Sequence, residues 1–402
     1  MIYKRKISAE ILKFIDSDDV IVLHGARQVG KTHILLWLKE YLEKRKEDVY
    51  YIDLEDSRYK AILDRGVSEF IDHLQEEGYS SQAGGKTFVF VDEIQYLANP
   101  SSFLKLVADH HKEIKLIVSG SSTFEIKSKF KNSLVGRTVN FEIFNLSFEE
   151  YLSFKKYYYN PSVRTTEKKQ EELRLLYKEY VLFGGYPKIA LTDEVDLKEK
   201  KLQQIIDTYA RKDIRELANV ESIEKFNILL EILASQSGQL LNVKELSSTC
   251  KLSAQTVEKY LFLLEQTYIV KLVRPYSRNI RSELSKTPKV FFFDSGLMQL
   301  LWLKRLQKKV IGNVFETSVF SELVKKYGRE NIYYWRTKDK KEIDFIIEEK
   351  NKIVPIEVKT NFRNFKISSM GLFLKKYRVK DYRVVSIEGE KRGENYFYPW
   401  EL

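Results

Sequence analysis

The sequence has few of the features that mark secreted or membrane proteins. Among its 402 residues it has one cysteine, Cys250, and 7 prolines. One cysteine excludes a disulfide framework and a cysteine zinc site, which fits a reducing cytosol. The first ten residues are charged and lack the apolar core of a secretion signal, and no apolar run approaches the roughly 18 residues of a membrane span. We therefore expect a cytoplasmic protein of two to four ordered domains, with no membrane partner.

Positive charge is concentrated at the C-terminal end. The net charge is +11, and residues 301–402 contain 23 Lys and Arg against 14 Asp and Glu. The first 300 residues contain 45 basic and 43 acidic groups and are nearly neutral. A basic C-terminal part suggests a polyanionic partner, although a lysine-rich surface that serves only solubility would give the same balance.

A glycine-rich stretch follows the first apolar run. Residues 20–23 predict a buried strand and residues 33–42 a helix with one apolar side. The residues between them match G-x-x-x-x-G-K-[ST], in which backbone N–H groups surround phosphate oxygens, Lys31 reaches the β and γ phosphates and Thr32 holds Mg²⁺. The predicted ATP-binding residues are Gly25, Ala26, Arg27, Gln28, Val29, Gly30, Lys31 and Thr32. A glycine turn that only caps a helix is the alternative.

Two acids end another predicted strand. Strands at 49–52, 87–91 and 114–118 alternate with helical stretches, which predicts a parallel sheet with helices on both faces. Asp92 and Glu93 follow the strand at 87–91, at the edge where α/β proteins bind ligands. We expect Asp92 to orient Mg²⁺ and Glu93 to polarise the attacking water; a charge pair at a helix N-terminus is the alternative.

Two further positions are candidates for the same site. Ser119 or Ser122 could sense the γ-phosphate, although these serines could equally cap the next helix. Arg137 could act as an arginine finger, which in trans would require an oligomer. A surface salt bridge is the commoner role of such an arginine.

These motifs look like those of the prokaryotic AAA-type ATPases, archaeal and bacterial proteins with a C-terminal domain of unknown function. The segments that carry the resemblance are the P-loop, residues 90–95, 118–122, 136–137 and 145–150, Phe183-Gly184-Gly185-Tyr186-Pro187, and residues 209–213. The resemblance covers essentially the full length. It implies binding and hydrolysis of Mg-ATP and leaves the biological substrate open.

The middle of the chain predicts a helical lid and a winged helix. Residues 151–182 predict helices, and Gly184 with Gly185 marks a turn or a hinge. The winged-helix elements are helices at 226–236, 243–248 and 254–267 and strands at 269–273 and 290–293. The third helix would present Gln255, Thr256 and Lys259 to a DNA groove. Basic residues lie between the strands: Arg274, Arg278, Arg281 and Lys286. A winged helix used only for protein packing is the alternative.

The last hundred residues predict a helix followed by a β-hairpin. In the helix, at 312–327, Glu316 lies on the apolar stripe, which is costly unless the carboxylate is paired or binds a metal. The run at 333–336 predicts a core strand rather than a base-stacking platform. In the hairpin, symmetry about the turn places Asp344 opposite Glu357 on one face, and Lys359 shares that face. Facing carboxylates repel each other unless a divalent cation lies between them.

Glu316, Asp344 and Glu357-Val358-Lys359 look like the PD-(D/E)XK nuclease constellation, with Ile343 in place of the usual proline. The resemblance implies that the three carboxylates bind Mg²⁺ or Mn²⁺ and that Lys359 positions or activates the attacking water. A degenerate nuclease fold that only binds nucleic acid, or a surface ion-pair ladder, is the alternative.

Together the patterns predict an α/β protein of four parts. They are an AAA-type ATPase domain at 1–155, a helical lid at 156–215, a winged helix at 216–300 and a restriction-endonuclease-like domain at 301–402. The expected function is Mg-dependent ATP hydrolysis coupled to DNA binding and to metal-dependent DNA cleavage. One alternative is an ATP-dependent switch whose inactive nuclease-like domain binds nucleic acid or protein, and another is a purely protein-directed ATPase.

Overall fold

The computed structural model describes residues 3–79, 85–120, 134, 136–161, 163, 165–208, 222–277, 287–350 and 352–402. Contacts between Cα atoms divide the chain into two compact units, Met1–Asn145 and Leu146–Leu402. The finer division into four domains stays a prediction. Within the described ranges, no helix combines the length and apolar character needed to cross a membrane.

The first unit is built around a parallel five-stranded sheet. Its strands are β1 (Val20–Gly25), β2 (Val49–Asp53), β3 (Thr87–Asp92), β4 (Ile114–Gly120) and β5 (Thr138–Ile143), in the order β2-β3-β4-β1-β5. Its helices are α1 (Ile7–Leu12), α2 (Lys31–Lys44), α3 (Ser57–Arg65), α4 (Val67–Glu76) and α5 (Pro100–His110), with a 3₁₀ turn at Ile94–Tyr96. Every residue of β1, β3 and β4 is buried, as expected for parallel strands covered on both faces. The predicted α/β sheet is therefore confirmed.

The edge strand β5 is absent from the sequence prediction. Of its six residues only Phe141 and Ile143 are buried, so it lacks the continuous apolar run that reveals β1, β3 and β4. It pairs in parallel with β1 along its whole length, from Val20 opposite Thr138 to Gly25 opposite Ile143.

The second unit begins with helices and continues with a two-stranded ladder. The first four helices are α6 (Phe148–Phe154), α7 (Glu167–Phe183), α8 (Pro187–Ala190) and α9 (Val195–Thr208). The next elements are α10 (Ile223–Ser235), α11 (Val243–Cys250), α12 (Ala254–Gln266), the antiparallel strands β6 (Val270–Val273) and β7 (Lys289–Phe292), and α13 (Ser295–Leu303). These helices and strands lie within two or three residues of the positions predicted for a winged helix. Ser253 caps α12 as expected, since its hydroxyl accepts a hydrogen bond from the N–H of Thr256 at 3.1 Å.

A mixed sheet forms the last part of the second unit. Its elements are α14 (Gly312–Tyr327), β8 (Ile332–Arg336), β9 (Glu342–Glu349), β10 (Lys352–Asn361), a 3₁₀ turn at Phe362–Asn364, α15 (Ile367–Tyr377), β11 (Arg383–Glu388), β12 (Tyr396–Phe397) and a 3₁₀ turn at Pro399–Glu401. The strand order is β12-β11-β10-β9-β8. Strands β9 and β10 form the predicted antiparallel hairpin, and β10 pairs in parallel with β11. Tyr334 and Trp335 of β8 are buried, as predicted for a core strand.

Three phenylalanine rings join the ladder to the mixed sheet. The ring centroid of Phe291 in β7 lies 4.8 Å from that of Phe320 in α14 and 5.2 Å from that of Phe345 in β9. All three side chains are fully buried. Such contacts between large rings add to the free energy of burying their apolar area, so β7 is firmly held against α14 and β9.

Candidate functional sites

The P-loop connects the end of β1 to the start of α2. Gly25 is required by close packing, because a Cβ atom there would lie 2.0 Å from the carbonyl oxygen of Ile143 in β5. Gly30 has a φ of 96°, a left-handed conformation that glycine adopts readily. Lys31 is the first residue of α2 and is 5% exposed. Its Nζ atom donates hydrogen bonds to the carbonyl oxygens of Gly25 at 3.2 Å and Ala26 at 2.8 Å.

The other predicted residues of the loop lie within the same turn. Thr32 follows Lys31 in the first turn of α2 and is half-buried, Arg27 and Gln28 are half-buried, and Val29 is buried. The loop thus leads into a helix N-terminus, where backbone N–H groups and the helix dipole favour a phosphate group.

A second polar cluster lies at the ends of β3 and β4. Asp92 is 2% exposed and accepts hydrogen bonds from the hydroxyl of Ser119, from the hydroxyl of Tyr51 at 2.9 Å and from the backbone N–H of Glu93 at 3.1 Å. Glu93 has a left-handed φ of 56°, and its carboxylate accepts a hydrogen bond from the side-chain amide of Gln95. Burial and the neighbouring Asp92 raise the pKa of Tyr51, so its hydroxyl stays protonated and acts as a donor.

The P-loop and this acidic cluster lie at the same end of the sheet, where its parallel strands finish. Strand β4 lies between β1 and β3 and is parallel to both, so the carboxyl ends of all three strands meet there. The structure therefore places Lys31, Asp92, Glu93 and Ser119 at the same end of the sheet, and their roles in ATP hydrolysis stay predictions. Ser122 lies outside the described residues.

Arg5 has no role in the sequence prediction, yet it supports the P-loop. Its guanidinium donates hydrogen bonds to the carbonyl oxygens of Val29 at 2.8 Å and Phe144 at 3.0 Å, and the side chain is 6% exposed. It therefore connects the loop to the residue that follows β5. No local pattern around Arg5 reveals these contacts, since its partners are 24 and 139 residues away in the chain.

Arg137 directly precedes β5, at the amino ends of the strands, whereas the P-loop lies at the carboxyl end of β1. Its carbonyl oxygen accepts a hydrogen bond from the N–H of Val20, the first residue of β1, whereas the P-loop begins at Gly25. At about 3.3 Å per residue, β1 separates these points by about 17 Å, more than an arginine side chain spans. Arg137 instead pairs with Asp109 at 2.6 Å. Within one chain it cannot reach a phosphate in the P-loop.

In the second unit, the hairpin gathers the predicted nuclease residues. In the hairpin, Ile356 of β10 pairs with Phe345 of β9. The next residues along the two strands are therefore Glu357 and Asp344, as the predicted register requires. The Nζ atom of Lys359 lies 2.7 Å from Glu357 Oε1 and 3.3 Å from Asp344 Oδ2. Asp344 also accepts a hydrogen bond from the N–H of Val358 at 2.7 Å.

The backbone around Asp344 is irregular. The pairing of β8 with β9 changes register between Tyr333 and Trp335, where Trp335 pairs with Ile343 and Tyr333 with Ile346. A bulge of this kind bends a strand and redirects its side chains. It lies directly beside Asp344.

Two carboxylates of this cluster, those of Glu316 and Glu357, are destabilised in their charged form. Burial, followed by repulsion from Asp344, raises the pKa of Glu316 to about 8 and that of Glu357 to about 7. Burial disfavours the charged form of Lys359, but attraction to Asp344 and Glu357 outweighs it and raises the pKa of the ammonium group. Lys359 is therefore the cation that holds the two hairpin carboxylates together.

The metal-binding role of these carboxylates stays a prediction. Within the described ranges, no group of three or more His, Cys, Asp or Glu side chains is arranged to hold a metal ion. Glu316 and Glu357 each have one buried carboxylate oxygen without a hydrogen-bond partner, which is the kind of atom that a metal ion would satisfy. Ammonium groups lie against this cluster instead.

One of those ammonium groups belongs to Lys289, to which no sequence pattern points. Lys289 lies in β7 and is 3% exposed. Its Nζ atom pairs with the carboxylate of Glu342 and lies 4.0 Å from Oε1 of Glu316. Burial disfavours its charge, but Glu316, Asp344 and Glu342 outweigh burial and raise its pKa.

The predicted DNA-contacting residues lie at the start of α12. Gln255 and Lys259 are exposed and Thr256 is half-buried. Of the basic residues predicted to lie between the strands, Arg274 is exposed, and Arg278, Arg281 and Lys286 lie outside the described residues.

The fold and geometry of the first unit define a P-loop ATPase domain of the AAA type, and the comparisons support this class. A family model described as "AAA domain" matches residues 17–152. Models described as "Domain of unknown function (DUF8612)" and "Domain of unknown function (DUF4143)" match residues 174–309 and 311–398. The AAA match together with the P-loop indicates that the first unit binds and hydrolyses ATP. Neither of the other two descriptions names a nuclease or a winged helix.

Related proteins extend over most of the chain. An uncharacterized protein of Haemophilus influenzae is 28% identical over 366 residues, which cover 89% of this chain and 86% of that protein. An uncharacterized protein of Methanocaldococcus jannaschii is 27% identical over 340 residues, which cover 82% of this chain and 72% of that protein.

Solved structures show weaker similarity. The replication initiator DnaA bound to AMPPCP and single-stranded DNA is 15% identical and matches 66% of this chain and 90% of its own, with a TM-score of 0.28. Caenorhabditis elegans PCH-2 is 15% identical and matches 65% of this chain and 71% of its own, with a TM-score of 0.30. Because these TM-scores are low, the assignment of the first unit to the AAA class depends on the family match and the P-loop.

Proposed function

We propose that this chain is an ATP-dependent switch in which nucleotide hydrolysis in the first unit controls DNA binding by the second. In the first unit Lys31 would bind the β and γ phosphates, Glu93 would orient the attacking water and Ser119 would sense the γ-phosphate through its contact with Asp92. Thr32 and Asp92 would hold Mg²⁺, which neutralises charge on the phosphate oxygens when it is bound. The common edge of the sheet at which Lys31, Asp92 and Glu93 meet is the observation that carries the ATPase part.

The DNA-binding part rests on charge at one end of the hairpin. Strands β9 and β10 are antiparallel, so the start of β9 and the end of β10 lie at the same end, next to Asp344 and Lys359. Exposed basic residues flank this end: Lys338, Lys340 and Lys341 before β9, and Arg363 and Lys366 after β10. Several cations around one end of a sheet favour a polyanion, and a nucleic-acid backbone is the polyanion that such a surface fits.

Salt-dependent DNA binding tests this proposal. We would measure fluorescence anisotropy of a labelled duplex with the full chain between about 50 and 200 mM salt, with ATP, with ADP and without nucleotide. Replacement of Lys338, Lys340 and Lys341 by glutamine should weaken binding and reduce the salt slope by about 3. The matched control replaces residues 44–46, a basic run in the first unit, and should leave the slope unchanged. Equal affinities in all nucleotide states would contradict the switch.

Metal-dependent cleavage is the second candidate. It is favoured by the convergence of Asp344, Glu357 and Lys359 and by the unpartnered carboxylate oxygens of Glu316 and Glu357. The test is cleavage of supercoiled plasmid with Mg²⁺ or Mn²⁺, with and without ATP, by the wild type and by Asp344→Ala. Nicking that Asp344→Ala loses would establish a nuclease. If both proteins leave the plasmid intact, the domain acts as a binding surface and the switch proposal stands alone.

A further inference from the structure

Lys289 brings a buried positive charge into the carboxylate cluster from a different part of the chain. The cluster belongs to α14, β9 and β10, whereas Lys289 begins β7, before α13. Its ammonium group pairs with Glu342 and approaches Glu316, and it lies 5.5 Å from the ring centroid of Tyr334. A lysine that is 3% exposed cannot turn its ammonium group out to water as a surface lysine does.

The fold fixes the position of this charge. Side chains two residues apart in a strand point to the same face, so Lys289 shares a face with Phe291. Phe291 packs on Phe320, one helical turn after Glu316 in α14. The aromatic contact and the approach of Lys289 to Glu316 are therefore two parts of one interface between β7 and α14.

Buried and half-buried cations already lie against the carboxylates of the cluster. Lys359 pairs with Asp344 and Glu357, while Lys289 pairs with Glu342 and lies beside Glu316. Arg336 also pairs with Glu342, at 2.7 Å. A divalent cation placed between Glu316 and the hairpin carboxylates would therefore lie next to a buried ammonium group and be repelled by it. This repulsion opposes metal binding by the three converging carboxylates.

We propose that Lys289 is an internal counter-cation that competes with a divalent metal ion for Glu316 and so sets the metal affinity of the Glu316–Asp344–Glu357 cluster. Lys289 acts through Glu316 and is a positioning residue. Removal of its charge frees one carboxylate for a metal ion, and the cluster then has three acidic ligands. The inference concerns this cluster alone and does not depend on ATP hydrolysis or on DNA binding.

Direct measurement of Mn²⁺ binding tests the proposal. The full chain without nucleotide is titrated with Mn²⁺, and free Mn²⁺ is followed by its electron paramagnetic resonance signal. Lys289→Met removes the charge and keeps an unbranched apolar stem, and it should bind Mn²⁺ at least about tenfold more tightly than the wild type, which corresponds to 1.4 kcal/mol. Lys289→Arg keeps the charge and should bind as the wild type does. The double variant Lys289→Met/Asp344→Ala should lose the gain.

Lys271 provides the matched control. It lies in β6 of the same ladder, and its Nζ atom is 3.2 Å from Glu330, away from the cluster. Lys271→Met should leave Mn²⁺ affinity unchanged. If Lys289→Met does not fold, Lys289→Gln removes the same charge, and the rise in melting temperature on adding Mn²⁺ should again exceed that of the wild type.

Two results would overturn the proposal. Equal Mn²⁺ affinities of the wild type and Lys289→Met, both lost with Asp344→Ala, would leave a metal site that Lys289 does not control. No Asp344-dependent Mn²⁺ binding by any variant would show that the cluster is not a metal site even without Lys289. Neither result bears on the switch, which the anisotropy measurement tests separately.

Discussion

A Cβ atom at Gly184 would lie 2.1 Å from Oδ1 of Asp294. Gly184 ends α7 with a φ of 78°, and Asp294 caps α13. The carboxylate of Asp294 accepts hydrogen bonds from the N–H groups of Gly185 and Leu297, both at 2.8 Å. One side chain therefore joins the end of α7 to the start of α13. The Gly-Gly segment is a tightly packed turn, which favours the turn over the hinge in the sequence prediction.

Gly184→Ala should destabilise the second unit by about 2 to 4 kcal/mol, because the methyl group both clashes with Asp294 and disfavours the positive φ. Urea denaturation of the full chain, followed by circular dichroism, should show a lower midpoint. Gly371→Ala is the control. Gly371 lies inside α15 with no heavy atom within 4 Å of its would-be Cβ atom, so alanine there should stabilise the helix by about 0.5 to 1 kcal/mol. A Gly184→Ala chain as stable as the wild type would show that the turn relaxes freely.

The same turn shows what sequence patterns can and cannot predict. That Gly184 and Gly185 break a helix is a local property and is predicted correctly. Their partner Asp294 is about 110 residues away, and no local pattern connects the two. The same reason explains why Lys289 and Arg5 are absent from the predicted sites, since each acts through partners distant in sequence.

Sequence patterns predict the structure correctly where the spacing of apolar residues or the pairing of two adjacent strands determines it. The helix at 312–327 has the predicted bounds, and the hairpin has the predicted register because alternation and the polar turn together fix it. The alternation places Asp344 and Glu357 together but does not reveal that Lys359 pairs with both or that Lys289 lies beside Glu316. The predicted ligands are therefore adjacent, and their role in binding a metal ion stays a prediction.

Glu93→Gln should abolish ATP turnover and leave ATP binding intact. The substitution keeps the size of the side chain but removes the carboxylate that would orient water, and a loss of about 10² to 10⁴ in kcat is expected. Lys31→Ala should also lose turnover, because the phosphates lose their nearest ammonium group. Phosphate release and binding of a fluorescent ATP analogue measure the two effects. Glu76→Gln, at the exposed end of α4, is the control and should match the wild type. Persistent hydrolysis by Lys31→Ala would refute the ATPase assignment.

Tyr51→Phe should slow ATP hydrolysis about fivefold. The hydroxyl of Tyr51 donates a hydrogen bond to Asp92 at 2.9 Å, and a hydrogen bond to a buried charged group contributes about 1 to 2 kcal/mol. Without it, Asp92 keeps its bonds to Ser119 and Glu93 but loses part of its orientation. Tyr50→Phe removes a hydroxyl from the adjacent residue, whose side chain points to the other face of β2, and should leave kcat unchanged. Equal effects of the two substitutions would mean that Tyr51 contributes only to stability.

Arg137 can act on a phosphate only in trans, because β1 separates it from the P-loop of its own chain. As an arginine finger supplied to a neighbouring copy, Arg137 would on replacement by alanine lower ATP turnover at least about 10³-fold, without loss of ATP binding. Mixing provides the decisive measurement. Arg137→Ala and Glu93→Gln are each inactive alone, yet in a mixed oligomer one interface contains an intact Glu93 and an intact Arg137, so activity should return to about a quarter of the wild-type level. The control mixes Arg137→Ala with Lys31→Ala/Arg137→Ala, which restores no complete interface. If Arg137→Ala hydrolyses ATP normally, or if mixing restores nothing, the arginine serves only as the ion-pair partner of Asp109.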